Sequence, residues 1–348
     1  MSSLAALTVQ KSDQQLARQS GLRYVTDQQP GFTRQKVGRG FSYFDVEGQR
    51  INDRQCRDRL KQLAIPPAWQ DVWICPDEQG HLQATGRDAK GRKQYRYHPE
   101  WQQLRSRVKF DRLLPFGHAL SHIRQQTDRH LKLPGLPREK VLALVVQLLE
   151  ETLIRVGNTA YAKANQSYGL TTLRTRHITV EGHQVEFEFT GKSGIEHHIE
   201  LTDKRLAKLI QRCSELPGYA VFQYLDEDGH RQSVDSGDVN DYLQAVAGSD
   251  FTAKDFRTWA GTILMAQTLT QQSPEVTAQP TAKQVTAAIK LVAQRLGNRP
   301  ATCRQYYVHP KVPDTYLAGQ LLPLMQSTEQ TIAYLDPGEC AVLELLST

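Results

Sequence analysis

Cysteine is scarce in this chain and widely scattered. Cys56, Cys75, Cys213, Cys303 and Cys340 are odd in number and never fall in a C-x-x-C spacing, so neither a disulfide framework nor a zinc site is suggested. No apolar run approaches 18 residues, and Met1 to Ser20 carries only a short apolar patch, Leu4 to Val9, with no basic stretch before it. A membrane span and a secretory leader are therefore not expected, and the protein is read as intracellular and soluble, without membrane contact. A nucleotide-binding phosphate loop is missing too. Gly191-Lys192-Ser193 has the right ending, but Glu186 stands where the first glycine belongs; Gly86 and Gly91 have the spacing, but Arg92-Lys93 follows in place of Lys-Ser/Thr. ATP-driven work is thus not expected. His177, His183, His197 and His198 crowd one region, yet no carboxylate or cysteine pattern completes a metal site there. Solvent-exposed or strand-paired histidines are expected instead, and no cofactor or metal.

What is present is an ordinary globular composition with its charge concentrated in one place. The 348 residues are 39% hydrophobic and 23% charged, enough for two domains. Between Arg87 and Arg112, nine basic residues (Arg87, Lys90, Arg92, Lys93, Arg96, Arg105, Arg107, Lys109, Arg112) face three acidic ones (Asp88, Glu100, Asp111), a local excess that equals the net charge of +6 of the whole chain. Tyr95, Tyr97 and Trp101 are interleaved with them, a pattern suited to phosphate contact plus stacking or groove packing.

Strand and turn signals run from Gly31 to about Tyr97, among them Phe41 to Val46 and Val72 to Cys75, with a short helix from Asp53 to Leu63 that stops before Pro66-Pro67. After Arg105 the pattern is mainly helical, which places a domain boundary between Arg105 and Pro115: residues 1–105 as a β-rich N-terminal domain, 106–348 as a mainly helical C-terminal domain. A helix opening at Pro137 keeps apolar spacing through Val156 until Gly157-Asn158, with Arg155 in its last turn. Val185, Phe187 and Phe189 alternate with Glu186 and Glu188, and Thr190 to Gly194 then turns the chain into Ile195 to Leu201, so Lys192 sits at a hairpin tip. Thr252 to Asp255 reads as a capping box for a helix burying Phe256, Ala260 and Ile263, with Arg257 on its first turn. Another helix runs from Thr281 to Leu296, and Pro300 opens a short one carrying Tyr306 and Tyr307.

The scattered arginines, lysine and tyrosines share one chemistry. Phosphoryl transfer at a DNA backbone needs a nucleophile, charge stabilisation for a crowded anionic state and an acid for the departing 5′ oxygen. Without a metal, arginines must supply the charge. Each residue has a rival role. Arg155 can pair with Glu151 on a helix, Lys192 can be an exposed turn residue, Arg257 a surface residue and Asn298 a helix terminator of positive φ. Tyr307 can be core packing, with Tyr306 and Tyr316 as competing nucleophiles.

Seven segments, Ile65-Pro-Pro-Ala-Trp69, Gly86-Arg-Asp-Ala-Lys-Gly-Arg-Lys-Gln-Tyr-Arg-Tyr97, Leu153-Ile-Arg-Val-Gly-Asn158 with Tyr161, Gly169-Leu-Thr-Thr-Leu173, Phe189-Thr-Gly-Lys-Ser-Gly194, Lys254-Asp-Phe-Arg-Thr-Trp259 and Leu296-Gly-Asn-Arg-Pro-Ala301 followed by Tyr307, stand in one order along the chain. By these segments the chain resembles the bacterial and poxvirus type IB topoisomerases over nearly its whole length. The resemblance implies an α+β fold: a small N-terminal β-rich lobe and a larger, mainly helical catalytic lobe with a small antiparallel sheet, closing as a clamp around duplex DNA. It implies Tyr307 as nucleophile, Arg155 and Arg257 as catalytic arginines and Lys192 as the acid. Where the family often has histidine, this chain has Asn298, which can donate a hydrogen bond but cannot become cationic. The resemblance places Gln94, Tyr95 and Tyr97, and also Tyr161, at the DNA. It further implies a monomer, cytoplasmic and associated with the nucleoid. A tyrosine recombinase shares the nucleophile and basic set but usually has histidine three residues before the second arginine, where Lys254 stands here; a non-catalytic DNA-binding clamp is the alternative of another class.

Overall fold

The computed structural model describes residues 13–38, 40–89, 91–272, 280–327 and 331–348 and divides into two units, Met1–Lys109 and Phe110–Thr348. Leu4 to Val9 and Lys90 lie outside the described residues, as does the side chain of Arg107. The first unit comprises α1 (Asp13–Gln19), β1 (Phe32–Val37), β2 (Gly40–Phe44), α2 (Arg54–Gln62), β3 (Gln70–Ile74), β4 (Leu82–Arg87), β5 (Lys93–Tyr97) and most of α3 (Pro99–Asp111). Its strands form one antiparallel sheet in the order β2-β1-β3-β4-β5. The Asp53 side chain caps α2 by accepting from the Cys56 amide at 2.7 Å, and Leu60 then packs with Ile65, Val72, Ile74 and Ala84.

The Ile65 to Trp69 segment owes its shape to one arginine. Prolines 66 and 67 cannot donate to a helix or ladder, and Arg34 donates to the carbonyls of Ile65, Pro66 and Trp69 at 2.9, 2.9 and 3.0 Å. The Trp69 ring lies so close to Gly86 that a Cβ there would meet it at 2.8 Å. Helical structure begins at Pro99, earlier than the charge pattern suggested. Trp101 is not available for stacking on a ligand: it is buried with Leu16, Ala17 and Leu22 and meets His81 edge-on at 4.7 Å.

The second unit contains α4 (Leu113–Leu131), α5 (Arg138–Thr152), α6 (Thr159–Asn165), β6 (Ile178–Glu181), β7 (Gln184–Thr190), β8 (Glu196–Thr202), α7 (Lys204–Ser214), β9 (Gln223–Leu225), β10 (Arg231–Ser233), α8 (Ser236–Ala247), α9 (Ala253–Gln272), α10 (Ala282–Arg295), α11 (Pro300–Tyr306), α12 (Lys311–Leu317), α13 (Leu321–Ser327) and α14 (Pro337–Ser347). Strands β6-β7-β8 form an antiparallel sheet that buries Val185, Phe187 and Phe189, as their alternation predicts. Helix α9 is the hub, packed against α4, α5, α8, α10, α12, α13 and α14. Its start is fixed by Asp255, whose carboxylate accepts from both the amide and the hydroxyl of Thr252 at 2.8 and 3.0 Å. No described helix is long and apolar enough to cross a membrane.

A polar cluster centred on the buried Glu339 carboxylate ties α9 to its neighbours. Arg124 of α4 makes two 2.7 Å bonds to Glu339 of α14 and one of 2.7 Å to Glu150 of α5, while Trp259 of α9 donates to Glu339 at 3.0 Å. Burial pushes the Glu150 carboxyl up and opposes ionisation of Glu339, but the Arg124 bonds outweigh burial at Glu339 and hold it below the usual range. Removing one partner of a buried ion pair strands the other. Arg124→Ala is expected to lower unfolding free energy by about 3–5 kcal/mol in urea titration; an unchanged midpoint would show that the cluster does not hold the helices together.

Candidate functional site

The site begins where α5 stops. Apolar spacing suggested a helix continuing to Gly157 with Arg155 in its last turn, but α5 ends at Thr152 and Leu153 adopts a left-handed conformation, φ 57°. Pro137 is correspondingly the N-cap, not the first helical residue. Tertiary pairing overrides the periodicity: Leu170 and Thr171 amides donate to the carbonyls of Arg155 and Val156 at 2.8 and 2.7 Å. That close approach needs two glycines. Gly157 has φ +101°, and a Cβ on Gly169 would collide with the Arg155 carbonyl and the Gly157 backbone. Arg155 is thus carried on an anchored extended segment, and its partner is not Glu151.

Arg155 donates through Nη2 to the Asn298 Oδ1 at 2.5 Å and to the Gly297 carbonyl at 3.2 Å. Arg257 is no surface residue: it is only 4% exposed. Its Nη1 donates to the Leu153 carbonyl and its Nη2 to that of Leu296 at 2.6 Å, and its guanidinium lies 5.5 Å from the centre of the Tyr307 ring. Burial, then the neighbouring Arg155, lowers the Arg257 pKa, while the charge interaction with Tyr307 works the other way; burial also lowers that of Arg155. Two donors inside the cluster, Nε of Arg257 and Nδ2 of Asn298, are buried without a hydrogen-bond acceptor. Two mutually repelling guanidiniums and two unsatisfied donors favour an anion with several acceptor oxygens.

Tyr307 follows α11 as its C-cap residue, one position beyond the helix expected to carry it, with its amide bonded to the Cys303 carbonyl at 2.9 Å. Tyr306 is exposed and Tyr316 fully buried, so among these three tyrosines the cluster forms around Tyr307. Burial pushes the Cys303 thiol up to about 11, which leaves it protonated and a poor nucleophile. The residue of positive φ at the end of α10 is Gly297, at 57°, rather than Asn298.

Lys192 lies at the exposed tip of the β7–β8 hairpin, as read from the sequence. His197 is strand-paired, one of the two states expected of the histidines in this region, but sequence reasoning did not place it beside the arginine cluster. Its ring stacks on Phe189 at 4.9 Å and lies against both Gly191 and Gly297. No periodicity distinguishes it from His198, which is exposed and bonded to Glu188 and Glu200. His177 also departs from expectation: it is buried and packs at 4.4 Å against the Tyr168 ring. Among the described residues, the grouping of metal-ligand type, Asp226, Asp228 and His230, shares no residue with the Arg155 cluster.

In the first unit, Tyr95 and Tyr97 share the exposed face of β5, stacked at 5.9 Å with planes 9° apart. Gln94 alternates to the opposite face and donates to Asp88 at 3.0 Å, so it is not beside the tyrosines. The basic stretch is less free than its sequence suggests. Arg92 pairs with Asp88, Lys93 with Asp27 and Arg105 with Asp13, at 2.7, 2.5 and 2.6 Å; in the second unit Arg112 pairs with Asp255. Tyr161, in the first turn of α6, is partly exposed, its amide held by the Asn158 cap at 2.9 Å.

Residues 98–318 match the family model for "Eukaryotic DNA topoisomerase I, catalytic core", and residues 40–88 that for "Bacterial DNA topoisomerase IB, N-terminal domain". The chain is 32% identical over 285 residues to the DNA topoisomerase 1B of Acanthamoeba polyphaga mimivirus, covering 80% of this chain and 85% of the relative. It is 23% identical over 286 residues to the DNA topoisomerase 1B of Vaccinia virus (strain Copenhagen), 80% and 87% of the two chains. With the DNA topoisomerase 1 of Rabbit fibroma virus (strain Kasza) it shares 25% identity over 261 residues, 72% and 78%.

Helix α9 also sets the height of Tyr307. A Cβ on Gly261 would lie 2.5 Å from the Tyr307 carbonyl oxygen, so Gly261→Ala must displace either α9 or the nucleophile candidate. A loss of about 1–3 kcal/mol is expected, as for other overpacked positions, measurable by denaturant unfolding; full stability would mean that the segment after α11 yields freely.

Proposed function

This chain belongs to the type IB DNA topoisomerase family, and from that membership we propose that Tyr307 is its nucleophile, Arg155, Arg257 and Asn298 its phosphate ligands and Lys192 its general acid. The enzyme breaks one strand of duplex DNA and rejoins it through a 3′-phosphotyrosyl bond, relaxing supercoils. The observation that carries the assignment is the meeting of Arg155, Arg257, Asn298 and Tyr307 from four separate segments around two buried donors that lack acceptors. A phosphodiester brings the missing acceptor oxygens.

The Tyr307 hydroxyl gives up its proton to solvent as its oxygen attacks phosphorus, the bond to the 5′ oxygen breaks, and Lys192 supplies a proton to that oxygen. Arg155 and Arg257 stabilise charge that is greatest in the transition state, which is where stabilisation accelerates the step. Asn298 contributes a neutral hydrogen bond. The phosphotyrosyl bond keeps the phosphodiester energy, so rejoining by the 5′ hydroxyl needs no ATP. The two domains, 1–105 and 106–348, act as a clamp on duplex DNA, with Tyr95 and Tyr97 on the DNA-facing side and Tyr161 near the backbone; Gln94 joins them only by exchanging its bond to Asp88. The protein works as a monomer on nucleoid DNA in the cytoplasm.

Supercoiled plasmid incubated in EDTA without ATP should be relaxed, and Tyr307→Phe should abolish both relaxation and the covalent adduct on denaturing gels while retaining DNA affinity. Tyr306→Phe should remain active. An exchange of these two outcomes would move the nucleophile by one residue.

Loss of one neutral oxyanion donor costs roughly 10²–10³ in rate, and hydrogen bonds from a charged donor are about twice as strong as neutral ones. Single-turnover cleavage should therefore fall further in Arg155→Ala than in Asn298→Ala, and Asn298→His should be tolerated because imidazole donates the same bond. A greater loss at Asn298 than at Arg155 would reverse their roles.

A further inference from the structure

His197 occupies a position that no surface histidine needs. The Cδ2–Nε2 edge of its ring faces Gly191, where a Cβ would lie 2.6 Å from both atoms; the adjoining Nε2–Cε1 edge faces Gly297, where a Cβ would lie 2.6 Å from Cε1 and 3.3 Å from Nε2. Gly191 immediately precedes Lys192, and Gly297 immediately precedes Asn298 and accepts from Arg155 at 3.2 Å. Gly191 has φ −93°, so glycine is not required there for its backbone freedom; what it supplies is room for the ring. Phe189, paired with His197 across the two strands, stacks on it with planes 12° apart and fixes its tilt. The hairpin closes directly above, through the Gly191 amide and the Ile195 carbonyl at 2.7 Å.

We propose that His197 is a positioning residue for strand cleavage, a flat ring that props the Lys192 hairpin against the Gly297 turn and so fixes where the lysine can deliver its proton. Burial, then Arg155 and Arg257, holds its pKa below the usual histidine range, with Glu196 pulling the other way, so the prop is uncharged at neutral pH beside two guanidiniums. A cationic side chain in the same place would be repelled by both.

The inference rests on Lys192 being the general acid, and one substrate pair separates the two claims. Replacing the 5′ bridging oxygen by sulfur gives a leaving group with a pKa of about 8.5, against about 15.7 for water as a stand-in for an alcohol, so departure no longer needs an acid. Single-turnover cleavage by Lys192→Ala should be slow on the oxygen duplex and largely recover on the sulfur duplex. His197→Ala should lose on the order of 10–100-fold on oxygen, the scale of a misplacement near 1 Å, and recover on sulfur in the same way. The Lys192→Ala/His197→Ala double variant should be no slower than Lys192→Ala, because the prop has nothing left to position. Gly191→Ala, which drives a methyl into the ring without removing it, should show the same selective loss and serves if His197→Ala folds poorly. Equal slowing of His197→Ala and Gly191→Ala on both substrates, or losses that multiply in the double variant, would overturn the positioning role. If Lys192→Ala itself fails to recover on sulfur, the general-acid assignment falls instead.

Discussion

The second unit is organised around one buried guanidinium. Arg257 leaves the hub helix α9 inside the core and spends its hydrogen bonds on two carbonyls, Leu153 and Leu296. The first belongs to the left-handed residue that ends α5 and launches the Arg155 segment; the second ends α10 and precedes Gly297 and Asn298. A single side chain thereby holds two of its own partners in the site. Burying an arginine is costly unless its donors are satisfied, and the two carbonyls supply part of that satisfaction while leaving Nε for a ligand. The same arrangement that makes the site costly in the free protein makes it receptive to a phosphate.

Electrostatics around that point are arranged by subtraction. Asn298 stands where a chargeable ring often occurs in the family, and the nearby ring, His197, is held neutral by burial and by the two arginines. The local positive charge is therefore carried by Arg155 and Arg257, which a phosphodiester can engage from two directions. In the first unit the basic side chains are engaged with Asp13, Asp27 and Asp88. Exposed pairs of this kind are weak and screened by salt, so a polyanion with its dense phosphates can replace them, and the stacked pair Tyr95 and Tyr97 already faces outward.

Much of the architecture was legible because local rules agree with the final packing. Asp53 and Thr281 cap the helices expected of them, Val185, Phe187 and Phe189 point into the core as period-two alternation requires, and the hairpin tip falls at Lys192. Elsewhere local signals misled. Apolar spacing at Leu153 and Val156 reads as continued helix, yet the backbone there pairs with Leu170 and Thr171. Trp101 sits among arginines in sequence, yet α3 turns it into a small core with Leu16 and Leu22.

By itself the sequence determined which residues are candidates for the site and the elements that carry most of them, since capping, alternation and turn chemistry act over a few residues. Only the tertiary structure decided which arginine is buried, that Asn298 is held by Arg155, and that His197 rather than His198 is wedged between two glycines. Those outcomes depend on contacts between segments a hundred or more residues apart, such as Arg257 with Leu153 at a separation of 104. No local propensity encodes such contacts, because they exist only after α5, α9 and α10 have packed.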